Sequence, residues 1–427
     1  MWKETGNSSV QNTDIQIGTL IDGAMDDIAP IMKENKRTAR FNFNKVMKAF
    51  NETGVSESDF TGTTGYGYDD TGRDKLEEIY RQVFRSEDAL VRSQIISGTH
   101  AISLSLLALL ETGDELIYIS GEPYDTLEKV IGTTAADIGS LTEKGVRYRA
   151  IDLVDDSFDE EEIMESISAR TKMIAIQRSR GYSMRKSLTI GEIEAMIAKI
   201  KERHPGIIIF VDNCYGEFVE RREPVEAGAD IIAGSLIKNP GGGIAKMGGY
   251  IAGRRDLIER ISYRLTVPGI GKEMGASLTV LTDMYQGFFL APHTVIESLN
   301  GAVLTSRLFQ KVGLKTDPAP DADRTDLIQS VSFNTEEEMI TFTRMIQKAS
   351  PVNSQFLPVP SDIPGYENPV IMAAGTFVQG ASLELSADGP IRAPYTVFVQ
   401  GGLVFEHVVY ALEEALREMK EKEMISF

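Results

Sequence analysis

Cysteine and histidine are scarce in this chain. Its 427 residues include one cysteine, Cys214, and four histidines that lie far apart. A single thiol cannot form an intramolecular disulfide, and a metal site built from several thiolates is excluded. The HExxH pattern of zinc hydrolases does not occur. We therefore expect neither a disulfide framework nor a resident metal ion.

Long apolar runs and an excess of basic residues are also lacking. The longest apolar stretch, AISLSLLALL at 101–110, is too short to cross a bilayer, and the first twenty residues contain no apolar core of a signal peptide. The formal net charge is −19, whereas nucleic acids and anionic membranes attract basic surfaces. These features predict a cytoplasmic protein that binds neither nucleic acid nor membrane.

What the chain does contain is an alternation of strand-like and helix-like segments from about residue 76 onward. The strand candidates are DALVRSQII, DELIYIS, VRYRAIDL, KMIAIQRS, GIIIFVDN and ADIIAGSLI. Helical stretches such as THAISLSLLALLETG, with Gly113 as its expected end, separate them. Such alternation predicts a doubly wound α/β domain with a mostly parallel sheet.

Changes in composition and periodicity along the chain predict an N-terminal segment and two domains. Residues 1–60 are polar and partly helical, with 22–52 as the helix candidate, and residues 61–295 form the large α/β domain. Residues 296–427 mix helical and strand-like runs, include a proline-rich stretch at 354–369 and end in an amphipathic helix. This last part predicts a smaller α+β domain.

In doubly wound sheets ligands bind at the carboxyl ends of strands, so the segments that follow the strands need inspection. Ser97, Gly98 and Thr99 come after the first strand candidate and precede a helix. Hydroxyls and free N–H groups at the start of a helix can bind a phosphate. The plain alternative is an ordinary helix cap by Ser97 or Thr99.

Two further strand ends carry an aromatic and a carboxylate. Tyr124 follows DELIYIS and could stack on a flat ring, or it could be a surface tyrosine at a helix start. Asp212 ends the apolar strand GIIIFVD, and a buried carboxylate needs a partner. That partner could be the protonated ring nitrogen of a cofactor, or Asp212 could instead cap the next helix.

The next strand ends at a lysine. Lys238 lies 26 residues after Asp212 and precedes Asn-Pro-Gly-Gly-Gly. A partly desolvated amine would have a lowered pKa and could act as a nucleophile or base. The alternatives are a surface lysine beside a flexible turn, and Lys246 as the reactive amine. Lys238 is preferred because it follows the strand directly, with Ser235 three residues before it.

An anion site, an aromatic, a carboxylate and a lysine at successive strand ends are more specific together than any one of them. The set fits pyridoxal 5′-phosphate, with its phosphate at the helix start and its ring on Tyr124. The ring nitrogen then pairs with Asp212, and the aldehyde carbon bonds to Lys238.

The sequence resembles the fold-type I pyridoxal-phosphate enzymes. The resemblance is greatest to the bacterial aluminium resistance / methionine gamma-lyase family, whose members are relatives of the cystathionine lyases. The resemblance implies a large domain with a mostly parallel seven-stranded sheet and a smaller α+β C-terminal domain. The stretches that carry the resemblance are YGYDDTGRDKLE, DALVRSQIISGTHAI, GEPYDTLE, AIQRSRGYSMRKS, VDNCYGEFVE, GSLIKNPGGGIAKMGGYIAG, YQGFFLAPH and TVFVQGGL.

By this resemblance, Lys238 is similar to the lysine that bonds to the cofactor and Asp212 to the partner of the ring nitrogen. Tyr124 is similar to the stacking tyrosine. The segment 97–99 is similar to the phosphate loop, with Ser235 as a further phosphate ligand.

The resemblance also implies contributions from a second subunit and from arginines. In the cystathionine-lyase superfamily a Tyr-x-Arg segment of a neighbouring subunit reaches the phosphate. Tyr66, Tyr68 and Arg73 are similar to it without keeping its spacing, so all three are candidates. Arg392 and Arg180 are the candidates for binding the substrate carboxylate.

The implied function is a carbon–sulfur lyase of the cystathionine beta-lyase or methionine gamma-lyase type. Lys238 would remove the α-proton of a sulfur-containing amino acid, and a thiol would leave from the β or γ carbon. The resemblance implies a homo-oligomer, a dimer or a tetramer built as a dimer of dimers, with shared active sites. The alternatives are an aminotransferase or aldolase reaction on the same cofactor, or a non-catalytic relative that binds it. A nucleotide-binding protein is disfavoured because neither GxGxxG nor GxxxxGK[ST] occurs.

Overall fold

The structure is a computed structural model that describes residues 8–134, 137–362 and 368–427, with the backbone alone for 8–12. Part of the predicted N-terminal segment and of the proline-rich stretch 354–369 lies outside the described residues. The α-helices of the described part are α1 Ser8–Thr53, α2 Thr71–Phe84, α3 Gly98–Leu109, α4 Asp125–Ile131, α5 Glu160–Ser166, α6 Ile190–Arg203, α7 Arg255–Leu265, α8 Leu281–Lys311, α9 Glu336–Lys348 and α10 Phe405–Glu421. Its strands are β1 Asp88–Arg92, β2 Glu115–Tyr118, β3 Arg147–Ala150, β4 Leu153–Val154, β5 Ser157–Phe158, β6 Thr171–Gln177, β7 Ile208–Asp212, β8 Ile231–Ser235, β9 Gly249–Gly253, β10 Lys315–Asp317, β11 Gln329–Phe333, β12 Val370–Ala373, β13 Ser386–Pro390 and β14 Tyr395–Gln400.

The larger sheet has seven strands in the order β1-β9-β8-β7-β6-β2-β3. The pairs from β8 to β3 are parallel, and only β9 runs antiparallel to its two neighbours. Every residue of β7 and β8 is buried, as expected for strands covered on both faces. The α/β fold with a mostly parallel seven-stranded sheet is therefore confirmed.

Several element boundaries differ from the predicted ones. Helix α3 ends at Leu109, because Leu110 is already extended, and Gly113 with φ +96° belongs to the turn before β2. The strand candidate DALVRSQII ends at Arg92, since a turn follows. Strand β9, GYIAG, was not predicted because two glycines in five residues are unusual in a strand.

The chain divides into two compact units. One contains residues 38–293 and 324–326, and the other contains the described residues of 1–37, 294–323 and 327–427. Helices α1 and α8 each contribute to both units. The domain limits after residues 60 and 295 stay predictions.

The second unit is built on a five-stranded antiparallel sheet in the order β10-β11-β14-β13-β12. Its core combines residues of this sheet with apolar faces of α9 and α10. Helix α10 buries Val408, Ala411, Leu412 and Ala415, which lie on one stripe at a spacing of three and four residues. No helix among the described residues combines the length and the apolar character needed to cross a membrane.

Candidate active site

The carboxyl ends of β6, β7 and β8 lie side by side in the larger sheet. In the strand register Gln177 is opposite Asp212, and Asp212 is opposite Ala233. Neighbouring strands are about 4.8 Å apart, so residues just past these three strands share one edge of the sheet. The topology thus brings the predicted strand-end residues together.

Helix α3 begins at this edge. The hydroxyl of Ser97 accepts a hydrogen bond from the His100 N–H at 3.0 Å, so Ser97 is the N-cap of α3. The backbone N–H groups of Gly98 and Thr99 have no acceptor among the described residues. Two donors at the positive end of a 12-residue helix are suited to an anion.

Gly98 packs directly against β8 and the loop after β7. A Cβ atom at this position would be 3.2 Å from both Cys214 Sγ and Ser235 Cβ. This distance is tighter than most Cβ contacts, so a methyl group there would require its neighbours to shift by a few tenths of an ångström. The absence of a side chain at Gly98 therefore lets the start of α3 approach Ser235, as the predicted phosphate site requires.

Tyr124 is the N-cap residue of α4 and closes the other side of the helix start. Its hydroxyl lies 2.8 Å from Thr99 Oγ1, and its N–H donates to Gln177 Oε1 at 3.1 Å. Burial, together with the nearby charge of Asp212, raises the pKa of the Tyr124 hydroxyl. Tyr124 therefore stays neutral and links the loops that follow β2 and β6 to α3.

Asp212 is 4% exposed, and no helix follows β7, so it is not a helix cap. Its Oδ1 accepts a hydrogen bond from the Cys214 N–H at 3.0 Å, and it forms no ion pair within the described part of the chain. Burial raises the pKa of Asp212, although Lys238 and the Cys214 N–H oppose the shift. A carboxylate in this setting is suited to a cationic partner such as a protonated ring nitrogen.

Lys238 lies in the loop after β8, where its N–H donates to the Ser235 carbonyl at 3.3 Å. Its Nζ is 4.0 Å from the centroid of the Tyr215 ring and has no hydrogen bond or ion pair to the residues that the structure describes. Burial lowers the pKa of Lys238, but the acidic groups of Cys214, Tyr215 and Asp212 outweigh it, so the pKa is raised.

The sequence-based expectation of a lowered pKa at Lys238 is thus wrong for the free amine. The expectation assumed an amine in apolar surroundings, whereas the structure places it over an aromatic face and near Asp212. The rival Lys246 has a side chain that is 74% exposed and an ion pair with Asp283 at 2.9 Å. Lys246 therefore has the features of a surface lysine.

Together these residues fit pyridoxal phosphate on three observations. Gly98 lets the start of α3 lie close to Ser235. The buried carboxylate of Asp212 has no cationic hydrogen-bond partner, and the amine of Lys238 has no ion pair, among the described residues. The comparison with known families decides the matter, because the sequence matches the family described as methionine gamma-lyase over residues 17–420. The chain belongs to the methionine gamma-lyase family.

Relatives of similar length support this membership. The uncharacterised protein YnbB of Bacillus subtilis (strain 168) is 54% identical over 401 residues, which cover 93% of this chain and 95% of the relative. A solved Listeria innocua protein, a candidate cystathionine beta-lyase involved in aluminium resistance, is 56% identical with a TM-score of 0.92, over 94% of this chain and 98% of that one. A carbon–sulfur lyase involved in aluminium resistance from Clostridium novyi NT is 44% identical with a TM-score of 0.92, over 98% and 100%.

These findings confirm the resemblance and the fold type predicted from the sequence. Pyridoxal 5′-phosphate, the expected cofactor, is the cofactor of the methionine gamma-lyase family. The pyridoxal-5′-phosphate dependent protein YhfS from Escherichia coli, at 18% identity and a TM-score of 0.61, shares the fold.

Two residues of this family member were missed by sequence reasoning. Tyr215 has φ +72°, which is rare for a bulky residue, and its carbonyl accepts a hydrogen bond from Asn239 Nδ2 at 2.9 Å. The same Nδ2 donates to the Glu217 carbonyl at 2.9 Å. Asn239 thus ties the loop after β7 to the loop of Lys238. Both residues occur in the quoted strand-end segments, but a left-handed tyrosine has no sequence signature.

The candidate interface residues occupy two different settings. Tyr66 and Tyr68 are 68% and 51% exposed, and their rings are 5.7 Å apart. Arg73 is 2% exposed, with its Nη1 donating to the carbonyls of Gly67 and Gly275 at 2.6 and 3.1 Å. The guanidinium of Arg73 therefore holds its own loop, which leaves the two tyrosines as the better candidates for contact with a second subunit.

The two arginines predicted to bind substrate belong to different units of the chain. Arg180, after β6, is buried, and its guanidinium donates to the carbonyls of Ser183 and Met184 at 3.3 and 3.1 Å. Arg392 is exposed in the turn between β13 and β14 of the other unit.

Proposed function

We propose that this family member is a pyridoxal-phosphate-dependent carbon–sulfur lyase that acts on a sulfur-containing amino acid. The observation that carries the proposal is the unpaired amine of Lys238 beside the buried carboxylate of Asp212, at the ends of adjacent parallel strands. The reaction is α-proton removal followed by β- or γ-elimination of a thiol.

In this proposal each part of the site holds one part of the cofactor. The N–H groups of Gly98 and Thr99, with the hydroxyl of Ser235, would hold the phosphate, and Tyr124 would contact the cofactor ring. Asp212 pairs with the ring nitrogen, and Lys238 bonds to the cofactor. When bound, pyridoxal phosphate withdraws electrons from the α-carbon of an attached amino acid.

The chain's own residues hold and move the proton. Lys238 Nζ receives the α-proton of the substrate and later delivers a proton to the departing group. The Tyr215 ring lies against this amine and restricts where it can point, while Asn239 fixes the loop that carries it. A cation facing Asp212 offsets the cost of burying its charge, so the carboxylate stays ionised during the reaction.

The relatives' names support the reaction class. The Clostridium novyi NT relative is named a carbon–sulfur lyase. An L-methionine gamma-lyase from Porphyromonas gingivalis (strain ATCC BAA-308 / W83) is 25% identical over 198 residues, which cover 46% of this chain and 45% of that protein. A role in aluminium tolerance is a hypothesis drawn from the names of solved relatives.

We also propose a homo-oligomer, a dimer or a dimer of dimers, whose sites are completed across the interface by Tyr66 and Tyr68. A cytoplasmic location stays a prediction from composition. Both statements are separate from the chemistry, and the first is tested below by subunit mixing.

The test of the reaction is product release. Purified holoenzyme is incubated with L-cystathionine or L-methionine, whose C–S cleavage releases a thiol, and free thiol and 2-keto acid are measured. A lyase releases both, an aminotransferase yields a keto acid only if an acceptor keto acid is supplied, and a non-catalytic relative yields neither. The matched control is Lys238→Ala. Product release without thiol would reject the proposed lyase.

A further inference from the structure

A second cationic group lies at the same edge of the sheet. Arg185 lies between β6 and α6, and its Nη2 donates to the carbonyls of Gln177 and Ser179 at 2.9 and 2.6 Å. Its Nη1 donates to the Lys186 carbonyl at 2.9 Å. Since Gln177 is opposite Asp212 in the strand register, the Arg185 guanidinium is held close to the end of β7.

Among the described residues no carboxylate forms an ion pair with this guanidinium, although the charges of Asp326, Asp156 and Asp212 act on it. Three carbonyls use three of its five N–H donors, and Arg185 forms no ion pair within the described ranges. Burial lowers the pKa of Arg185 to about 10, despite the opposing charge of Asp326. A partly buried guanidinium that is held only by neutral carbonyls is electrostatically suited to receive an anion.

The strand order separates Arg185 from the proposed phosphate site. Gly98 lies against Ser235 at the end of β8, whereas Arg185 is bonded to the end of β6, and β7 with Asp212 lies between them. Two strand spacings amount to about 10 Å. An anion bound by Arg185 would therefore be separated from the phosphate loop by Asp212.

From this placement we propose that Arg185 binds the α-carboxylate of the amino-acid substrate. The inference rests on the proposed function, because it needs an amino acid at this edge of the sheet. The sequence-based candidates for the same role are Arg180 and Arg392.

The test compares a ligand that has the carboxylate with one that lacks it. The holoenzyme, Arg185→Gln and Arg185→Lys are mixed rapidly with L-methionine or with 3-methylthiopropylamine, its decarboxylated form. Binding is read from the absorbance of the bound cofactor before turnover. The affinity of each apo-protein for pyridoxal phosphate is measured separately. Lys186→Gln is the matched control, because it removes a neighbouring charge paired with Glu192 and keeps the Arg185 contacts.

We expect Arg185→Gln to weaken methionine binding roughly 10- to 100-fold, the range of a lost charge-assisted hydrogen bond. Binding of the amine and of pyridoxal phosphate should be unchanged, Arg185→Lys should be intermediate, and Lys186→Gln should match the wild type. Equal weakening of methionine and the amine, or no weakening of methionine, would overturn the proposal. A loss confined to pyridoxal phosphate would assign Arg185 to the cofactor instead and would also overturn it.

A second measurement keeps the test decisive if Arg185→Gln does not fold. The wild-type holoenzyme is treated with phenylglyoxal, and the modified arginines are mapped by mass spectrometry. Methionine should protect the Arg185 peptide, and the amine should not. Equal modification with both ligands would overturn the proposal. If no amino acid releases thiol, the lyase is rejected, while the two binding measurements still decide the role of Arg185.

Discussion

At the scale of single residues, the two candidate lysines, Lys238 and Lys246, have different surroundings. Lys238 Nζ lies against the Tyr215 ring without an ion pair to the described residues, whereas Lys246 is exposed and paired with Asp283. An exposed amine that is paired with a surface carboxylate has the setting of an ordinary surface lysine. We therefore expect the two lysines to differ in whether they bond to the cofactor.

We predict that the cofactor is bonded to Lys238. Borohydride reduction of the holoenzyme followed by peptide mass mapping should place the pyridoxyl group on the peptide that contains Lys238. Lys246→Ala should keep the absorbance of the bound cofactor, and Lys238→Ala should lose the covalent adduct. An adduct on Lys246 would refute the assignment.

We predict that Asp212→Asn lowers turnover without lowering the stability of the fold. The amide has nearly the same shape as the carboxylate but cannot favour a protonated ring nitrogen. Because burial raises the pKa of Asp212, the neutral amide should not reduce stability. We expect an unfolding midpoint near that of the wild type and a fall in turnover of roughly 100-fold or more. Wild-type turnover in Asp212→Asn would show that the carboxylate has no role in the reaction.

The buried carboxyl group of Glu217 should make the stability of the fold depend on pH. Glu217 is fully buried, with Oε1 accepting a hydrogen bond from the Tyr250 hydroxyl at 2.8 Å and Oε2 without a partner among the described residues. Burial raises the pKa of Glu217 to about 8. The fold thus favours the neutral carboxyl group, so its contribution to stability is complete below about pH 4.5 and is lost as the pH rises through about 8.

We predict that the wild type loses stability relative to Glu217→Gln between pH 5.5 and pH 8. The glutamine amide resembles the neutral acid at every pH, so it does not titrate. The difference in unfolding free energy should change by up to roughly 3 kcal/mol, since each pH unit contributes up to about 1.4 kcal/mol. Urea unfolding at several pH values measures it. Parallel stability profiles for the two proteins would mean that Glu217 is ionised throughout.

At the scale of elements, the contact between α3 and β8 determines the shape of the proposed phosphate site. Gly98 is the first residue of α3, and a Cβ atom there meets Cys214 and Ser235 at 3.2 Å. The second residue of α6, Gly191, is also near a helix start, but a Cβ there would meet only Thr189 Oγ1, at 4.0 Å. The two glycines form a matched pair that differs in packing.

Gly98→Ala should therefore weaken binding of pyridoxal phosphate, while Gly191→Ala should not. The added methyl group requires Cys214, Ser235 or the start of α3 to shift by a few tenths of an ångström, and overpacking of this kind costs about 1–3 kcal/mol. We expect an affinity loss of about tenfold, equivalent to about 1.4 kcal/mol, measured by titrating the apo-protein with the cofactor. Gly191→Ala should be neutral or slightly stabilising. Equal cofactor affinity in the two variants would contradict the packing argument.

On the scale of the whole molecule, the loop 61–70 before α2 presents two exposed aromatic side chains. Arg73 Nη1 donates to the carbonyls of Gly67 and Gly275. The N–H groups of Gly275 and Leu278 donate to loop carbonyls, so the loop is held against residues 275–278 of the same unit. Tyr66 and Tyr68 project from it. A rigid loop with exposed tyrosines is typical of a contact surface, because aromatic residues are enriched at interfaces.

We predict that mixing two inactive variants restores activity. Lys238→Ala and the double variant Tyr66→Ala/Tyr68→Ala are dissociated, combined in equal amounts and reassociated. A hybrid dimer then has one site with all native residues, so about one quarter of wild-type activity should return for random two-fold pairing. Each variant reassociated alone is the control. A wild-type protein that sediments as an active monomer would refute shared sites.

The sequence by itself determined the fold class, the cofactor and the set of strand-end residues. Continuous apolar runs such as those of β7 and β8 are buried on both faces, and parallel strands place their carboxyl ends at one edge. Both statements follow from local sequence patterns and one topological rule. Asp212 and Lys238 could therefore be placed near the same edge of the sheet without coordinates.

Only the tertiary structure decided the contacts that set the chemistry. The raised pKa of Lys238, the left-handed Tyr215 and the close approach at Gly98 depend on groups that are distant in sequence. The same holds for β9, whose glycines fit beside neighbouring strands, and for Arg185, which reaches back to the end of β6. Electrostatic and steric effects act over a few ångströms of space, and chain position does not report which groups share that space.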